Sequence, residues 1–214
     1  MRYVNLETWS RREHFKFFSG FDHPHFNICT NVDLTAFYPA VKQRRVTFTV
    51  AIVYLIARAA NAIPEFRYRI RQEAMVEHEV VHPSTTILTK DDLFGVWTFD
   101  YVQDFSSFAA QAAERIARAQ ERTILENAPG RDDLLYMTAI PWVSFTSFTH
   151  PMRQHPADYI PRFAWGKTFE ENRVIKLPLS VQGHHELMDG IHIGRLYMVL
   201  QDLLAQPDIS LQIG

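Results

Sequence analysis

The stretch LPLSVQGHHELMDGIHIGRL, Leu177–Leu196, joins two elements of regular structure through a polar turn. Its first part belongs to an apolar run, Val174–Gln182, which we predict to be a strand. Its last part opens a segment, Gly190–Leu204, whose apolar residues recur at helical spacing. Strand and helix patterns also alternate irregularly along the rest of the chain. We therefore predict an α/β fold with a mixed sheet.

The turn holds His184, His185 and Asp189, and their chemistry leaves three interpretations open. Aspartate is favoured at a helix N-cap, so the first is a capped helix beside polar loop histidines. The second is a catalytic histidine supported by Asp189, since imidazole suits proton transfer near neutral pH and active sites often follow the carboxyl end of a strand. The third is a metal site. It is the weakest, because no HExxH or CxxC spacing is present and adjacent strand side chains point to opposite faces.

Four further segments have recognisable patterns. The run Phe48–Ala62 is apolar on nearly all sides and is followed by a proline, which predicts a buried helix. The segment Asp104–Glu126 carries an apolar stripe and predicts a surface helix capped by its aspartate. We predict a first helix over Leu6–Ser19, capped by Thr8, and a strand over Val143–Phe148.

Composition bounds the class of protein. The chain has 214 residues, 47% of them hydrophobic, and a net charge of −2, so we expect one globular domain over residues 1–214 and no nucleic-acid surface. The single cysteine excludes an internal disulfide and fits a reducing cytoplasm. No apolar run is long enough to span a bilayer, and the first residues lack the apolar core of a signal peptide. We expect a cytoplasmic protein that has no membrane segment.

Several stretches together resemble the chloramphenicol acetyltransferase family. The residues HHELMDG, His184–Gly190, match its HHxxxDG signature, which related dihydrolipoyl acyltransferase cores share in part. WSRREHFKFF, Trp9–Phe18, is similar to the family's N-terminal motif, and IPWVSFTSF, Ile140–Phe148, to its P-W-x-x-F-x-S-F. FTVAIVYLIARAANAIPEFRYRI, from Phe48 onward, looks like its long buried helix and following strand. The motifs occur in the family's order over essentially the whole chain.

The resemblance implies a fold and an activity. The fold would be the two-layer, sandwich-like mixed sheet with packed helices of the CoA-dependent acyltransferases. The activity would be transfer of the acetyl group of acetyl-CoA to a hydroxyl of chloramphenicol, without a covalent enzyme intermediate and without a metal. The alternative is an acyltransferase of the same fold with a different hydroxyl acceptor.

The resemblance also implies roles for individual residues. His185 would be the general base that takes the proton of the acceptor hydroxyl. Ser147 would donate to the oxyanion of the tetrahedral intermediate; without the resemblance it would pass for a surface serine. Asp189 would form an ion pair with Arg11 and so hold the loop that carries His185.

The resemblance places substrates between subunits of a homotrimer. The histidine of one subunit would face an aromatic acceptor pocket supplied largely by its neighbour. Phe17, Phe18, Phe94 and Thr86 match that pocket, although each also suits ordinary core packing. Lys167 is the candidate contact for CoA.

Four positions depart from the family pattern. Phe18 stands where a tyrosine is usual, and Ala164 where a threonine is usual. Arg162 falls where an apolar pocket residue is expected, and Gly183 replaces a β-branched residue. The acyl-transfer residues are all present, so these departures bear on the choice of acceptor.

Overall fold

The computed structural model describes residues 1–72, 74–119, 125, 130–153 and 156–212. Within them the helices are α1 (Arg12–Phe18), α2 (Phe37–Gln43), α3 (Phe48–Asn61), α4 (Phe105–Ala119), α5 (Gly190–Ala205) and α6 (Pro207–Ser210), with a 3-10 helix over Pro64–Arg67. The strands are β1 (Arg2–Val4), β2 (His25–Asp33), β3 (Tyr68–Arg71), β4 (Ala74–Glu77), β5 (His82–Leu88), β6 (Phe94–Thr98), β7 (Leu134–Ala139), β8 (Arg162–Trp165), β9 (Phe169–Glu171) and β10 (Val174–His184).

A seven-stranded mixed sheet organises the molecule. Its strand order is β2-β10-β8-β7-β5-β6, and β9 pairs with the first three residues of β10. The β5–β7 and β7–β8 pairs are parallel and the others are antiparallel. A small antiparallel sheet, β1-β4-β3, lies apart from it. The predicted α/β fold with a mixed sheet and packed helices is confirmed.

The helix α3 forms the centre of the core. Ten of its residues are buried, from Val50 to Ala60, because almost every position is apolar. It packs against α4, α5 and the strands β5 and β7. Burial on all sides explains why the segment is helical without an amphipathic pattern. The helix ends at Asn61, and Pro64 begins the 3-10 helix, as the predicted boundary requires.

The predicted strand over Val143–Phe148 is wrong. The segment is a loop outside the sheet, in which Val143 is 53% exposed while Phe145 and Phe148 are partly buried with their rings in contact. It is held by the Lys167 N–H, which donates to the Val143 oxygen at 2.8 Å. A Cβ at Gly166 would lie 2.8 Å from that same oxygen, so the glycine permits the close approach. The alternation therefore does not mark a sheet face.

The first helix is shorter than predicted. It covers Arg12–Phe18 rather than Leu6–Ser19, and its N-cap is Arg11 rather than Thr8. The Thr8 hydroxyl instead donates to the Asn5 oxygen at 3.3 Å, within a run of turns. Local side-chain bonds of this kind compete with the helix.

The surface helix begins as predicted. The Asp104 carboxylate accepts the Ser107 N–H at 2.7 Å, and α4 follows from Phe105. The structure describes the helix to Ala119, and most of the predicted remainder, to Glu126, lies outside the described residues. None of the helices in the described parts of the chain is both long and apolar enough to cross a membrane.

Candidate active site

The polar turn after β10 is held in place by backbone hydrogen bonds. The strand ends at His184, which pairs with His25 of the edge strand β2. The next residue, His185, donates its N–H to the Pro24 oxygen at 2.9 Å. The Met188 N–H returns to the His184 oxygen at 3.0 Å, and α5 starts one residue after Asp189. The backbone of His185 is thereby fixed between the sheet and the helix.

Two phenylalanines enclose the His185 ring. Phe18, at the end of α1, stacks on it with a centroid distance of 4.4 Å and an interplanar angle of 11°. Phe26, from β2, stacks at 3.9 Å and 21°. The ring is not fully enclosed, since 29% of the side chain is exposed. Stacking restricts rotation of the imidazole and leaves its nitrogen-bearing edge as the reactive part.

Arg11, Asp189 and His185 form one connected group. Both Arg11 Nη atoms donate to the Asp189 carboxylate, Nη2 to Oδ1 at 3.0 Å. Nη2 also donates to the backbone oxygen of His185 at 3.0 Å. The Arg11 side chain is 10% exposed and that of Asp189 30%. A bidentate pair of this kind fixes the relative orientation of the two side chains and also brings their opposite charges together.

The position of Asp189 determines the tautomer of His185. Its Oδ1 lies 3.3 Å from His185 Nδ1. An ionised carboxylate only accepts hydrogen bonds, so the proton of the neutral imidazole belongs on Nδ1 and Nε2 keeps its lone pair. Burial, and then the charge of Arg11, lower the pKa of His185 from its ordinary value of 6.5. At neutral pH the ring is therefore uncharged, and its Nε2 can accept a proton.

The remaining histidines of the turn have structural contacts. His192 Nδ1 accepts the Asp189 N–H at 2.8 Å, and its Nε2 lies 3.3 Å from Glu65 Oε1. His184 is 2% exposed and its ring contacts His25 at 4.6 Å. Burial lowers the pKa of His184 to about 3, so it stays neutral.

The four residues that match the acceptor pocket fall into two groups within one chain. Thr86 and Phe94 line a cavity of about 690 Å³ beside the sheet. Phe18 instead stacks on His185, and Phe17, which is 64% exposed, has its ring against Phe18. Among the described residues, no hydrogen bond or ring contact joins the two groups.

Ser147 and Lys167 are exposed residues in loops. Ser147 belongs to the loop before His150, which is tied to β10 where the His150 N–H donates to Gln182 Oε1 at 3.0 Å. Both Ser147 and Lys167 are exposed, and the structure gives neither a side-chain hydrogen bond to His185. Within one chain, therefore, no hydrogen bond among the described residues joins the serine to the base.

The four departures from the family pattern have different surroundings. Gly183 is buried, and a Cβ there would lie 2.4 Å from Met188 Sδ, so Met188 fills the space that a larger residue would need. Ala164 is fully buried in β8. Arg162, at the start of β8, lines the 690 Å³ cavity. Phe18 stacks on His185, as described above, and needs no hydroxyl for that contact.

Sequence reasoning missed several members of the site. Phe26 and Pro24 contact His185, and Glu65 contacts His192, but none of the three stands at a spacing from His185 that indicates it. Phe26 is the most consequential, and it reaches His185 through the pairing of β2 with β10. Within the described residues, no group of three potential metal ligands is close enough to hold an ion.

Comparison with known proteins adds a second kind of evidence. The protein-family model described as "Chloramphenicol acetyltransferase" matches residues 1–201. A chloramphenicol acetyltransferase of Escherichia coli is 30% identical over 92% of this chain and 91% of its own. Chloramphenicol acetyltransferase 2 of Haemophilus influenzae is 32% identical over 92% and 94%. A solved chloramphenicol acetyltransferase structure, 27% identical, superposes with a TM-score of 0.90 over 95% of this chain and 99% of its own. The similarity therefore extends over sequence and fold together.

Proposed function

This chain belongs to the chloramphenicol acetyltransferase family and is an acyltransferase, and we propose that it moves the acetyl group of acetyl-CoA to a hydroxyl of chloramphenicol. The observation that carries the mechanism is the placement of Asp189 Oδ1 against His185 Nδ1 at 3.3 Å. With the ring proton on Nδ1, Nε2 keeps the lone pair that a base needs.

In the proposed reaction His185 is the general base. An alcohol is a poor nucleophile at neutral pH, so Nε2 takes the hydroxyl proton as the oxygen attacks the thioester carbonyl. The tetrahedral intermediate then collapses, the carbon–sulfur bond breaks, and the imidazolium returns its proton to the CoA sulfur. Both substrates are present together, so no acetyl group is carried by the enzyme.

Arg11 and Asp189 are positioning residues in this proposal. Arg11 binds the carboxylate of Asp189 and the backbone oxygen of His185, so it holds the ring and the backbone of the same residue. Burial and then the charge of Arg11 lower the pKa of His185, which favours the neutral form that a base requires.

Ser147 is proposed as the donor to the oxyanion, and Lys167 as a contact for the phosphates of CoA. Their exposure supports these roles, because groups that meet substrate must be accessible before it binds. A hydroxyl donor placed at the oxyanion contributes about 2–4 kcal/mol to transition-state stabilisation in comparable sites.

We propose a homotrimer whose active sites lie between subunits. Within the described residues of one chain, no hydrogen bond or ring contact joins His185 to Ser147, Thr86 or Phe94, which supports a site completed by a second copy. Exposed apolar side chains such as Trp142, at 64%, suit a contact between subunits.

The domain organisation and location are also proposals. One hydrophobic core shared by the sheet and the helices supports a single domain over residues 1–214. A chain with one cysteine gains no internal disulfide from an oxidising compartment, which supports a cytoplasmic location. Inactivation of the antibiotic would then confer resistance.

A second candidate is the same acetyl transfer to a different hydroxyl acceptor. It is favoured by Arg162, which places a cation in the cavity that Thr86 and Phe94 line. The neutral nitroaromatic ring of chloramphenicol gains little from a cation there.

The deciding experiment follows release of the CoA thiol with acetyl-CoA and chloramphenicol. The wild-type protein is compared with His185→Ala, and with His14→Ala as a control on the exposed face of α1. We expect His185→Ala to lose essentially all turnover and the control to keep it. Acetylated product in the His185→Ala reaction at wild-type rate would contradict the mechanism. Turnover of other alcohols but not chloramphenicol would favour the second candidate.

A further inference from the structure

The cavity beside the sheet has a positively charged lining. Among the described residues that line it, Arg131, Arg153 and Arg162 carry guanidinium groups and Asp158 carries the only carboxylate. Arg131 is paired outside the lining, its Nε 2.8 Å from Asp133 Oδ1. Arg162 is different, because its partner Asp158 lines the cavity with it.

Arg162 is held rigidly in this wall. Its Nη2 donates to Asp158 Oδ2 at 2.6 Å, and its Nη1 donates to the Ile160 oxygen at 3.3 Å. Its guanidinium carbon lies 5.1 Å from the centroid of the Tyr136 ring. The side chain is 11% exposed and that of Asp158 14%. A guanidinium constrained in this way presents its donors in a fixed direction.

The ion pair does not use all of the donor capacity of Arg162. A guanidinium has five N–H donors, and the hydrogen bonds just described engage two of its three nitrogens. The charge of Arg162 also reaches the neighbouring His150, whose pKa is lowered to about 4, first by burial and then by this cation. The wall of the cavity therefore holds a largely buried guanidinium that has donor capacity left for a ligand.

We propose that Arg162 determines the acceptor specificity of the enzyme and selects a hydroxyl compound that carries an anionic group, such as a carboxylate. The inference rests on the second candidate function, acetyl transfer to a hydroxyl acceptor other than chloramphenicol, and specifies the class of that acceptor. An anionic group would form charge-assisted hydrogen bonds with Arg162 and share it with Asp158. A neutral apolar group in the same place would desolvate the ion pair without replacing the lost hydration.

Arg162 acts on binding rather than on proton transfer. It lies at the start of β8 and has no contact with the group formed by Arg11, Asp189 and His185 among the described residues. Its removal should therefore change the relative kcat/KM of two acceptors and leave the acid limb of the pH profile, set by His185, in place.

The test uses two alcohols of the same shape, 4-(hydroxymethyl)benzoate and 4-nitrobenzyl alcohol, with chloramphenicol alongside. Asp158→Asn leaves Arg162 charged, whereas Asp158→Asn combined with Arg162→Ile removes the cation without leaving a buried carboxylate unpaired. Arg118→Ile, on the exposed face of α4, is the matched control for loss of one arginine.

We expect the wild-type protein to prefer the carboxylate by about tenfold or more in kcat/KM. Asp158→Asn should increase that ratio, and the double variant should reverse it by about 10- to 100-fold. Arg118→Ile should resemble the wild type. Circular dichroism and melting temperature report whether each variant is folded.

Two outcomes would overturn the inference. A double variant that keeps the wild-type ratio would show that Arg162 does not select the acceptor. If the wild type acetylates chloramphenicol in preference to 4-(hydroxymethyl)benzoate, the inference is also overturned, while the proposed function stays intact. Loss of acetylation for all three acceptors, with CoA release equal in His185→Ala, would instead contradict the proposed function itself.

Discussion

The Arg11 guanidinium and the Asp189 carboxylate meet in a two-pronged ion pair across 178 residues of chain. The same guanidinium donates to the backbone oxygen of His185, and the same carboxylate lies beside His185 Nδ1. The start of α1 and the turn between β10 and α5 thus meet at His185. This geometry lets the proposed role of each residue be examined separately.

Loss of the ion pair between Arg11 and Asp189 should lower both the stability of the fold and the rate of catalysis. In Asp189→Ala, Arg11 keeps its burial but loses its partner, which should destabilise the fold by about 2–4 kcal/mol. Misplacement of His185 should lower kcat about 100-fold. A double-mutant cycle with Arg11→Met, measured by urea denaturation and by turnover, checks both. Additive effects of the two substitutions would show that the pair does not act as a unit.

The pH dependence should follow the unprotonated form of His185. Burial and Arg11 lower its pKa, so kcat/KM should be constant above that pKa and fall as pH drops through it, with a midpoint below 6.5. Arg11→Met removes a cause of the lowering and should move the midpoint upward. A pH profile of both proteins measures this, and a midpoint that stays in place in the variant would contradict it.

Stacking by Phe26 should matter for the orientation of the base. Phe26→Leu keeps an apolar side chain but removes the ring that lies 3.9 Å from His185. We expect kcat to fall about tenfold with little change in KM, because ring orientation and not substrate contact is lost. Phe21→Leu is the control, since Phe21 contacts Phe17 and Phe18 but is 47% exposed. Equal effects of the two variants would argue against a specific role for Phe26.

The effect of a substitution at Gly183 should depend on the side chain at position 188. Gly183→Val would press a side chain onto Met188, which is 1% exposed. We expect a loss of about 1–3 kcal/mol in the free energy of unfolding. In a Met188→Ala background the same substitution should be much less damaging. An equal loss in both backgrounds would place the strain elsewhere.

Mixed oligomers should reveal whether two subunits form each site. His185→Ala lacks the base, and Thr86→Trp should block the cavity, so each alone should be inactive. If the base and the cavity of one site come from different subunits, random mixing by co-expression should restore roughly a quarter of wild-type activity. Sedimentation of the mixture gives its size. Absence of any recovery in a confirmed oligomer would mean that each chain forms its own site.

Some features followed from local sequence because their causes are local. The helix α3 is apolar on every side, and the following Pro64 excludes its continuation, so its burial and its end were both predictable. Asp189 at the start of α5 is likewise a matter of neighbouring residues. The loop over Val143–Phe148 was not predictable in this way, since its alternating apolar residues imitate a strand and only its position outside the sheet shows otherwise.

The sequence by itself determined the α/β class, the buried central helix and the turn that carries His185, since each depends on residues close together in the chain. The tertiary structure alone decided which groups meet that histidine. Arg11, Phe18 and Phe26 reach it because β2 pairs with β10 and α1 packs beside their ends. It also decided that Arg162 and Asp158 form an ion pair in the wall of the cavity. Contacts between distant segments depend on how strands pair and helices pack, and no local spacing encodes that arrangement.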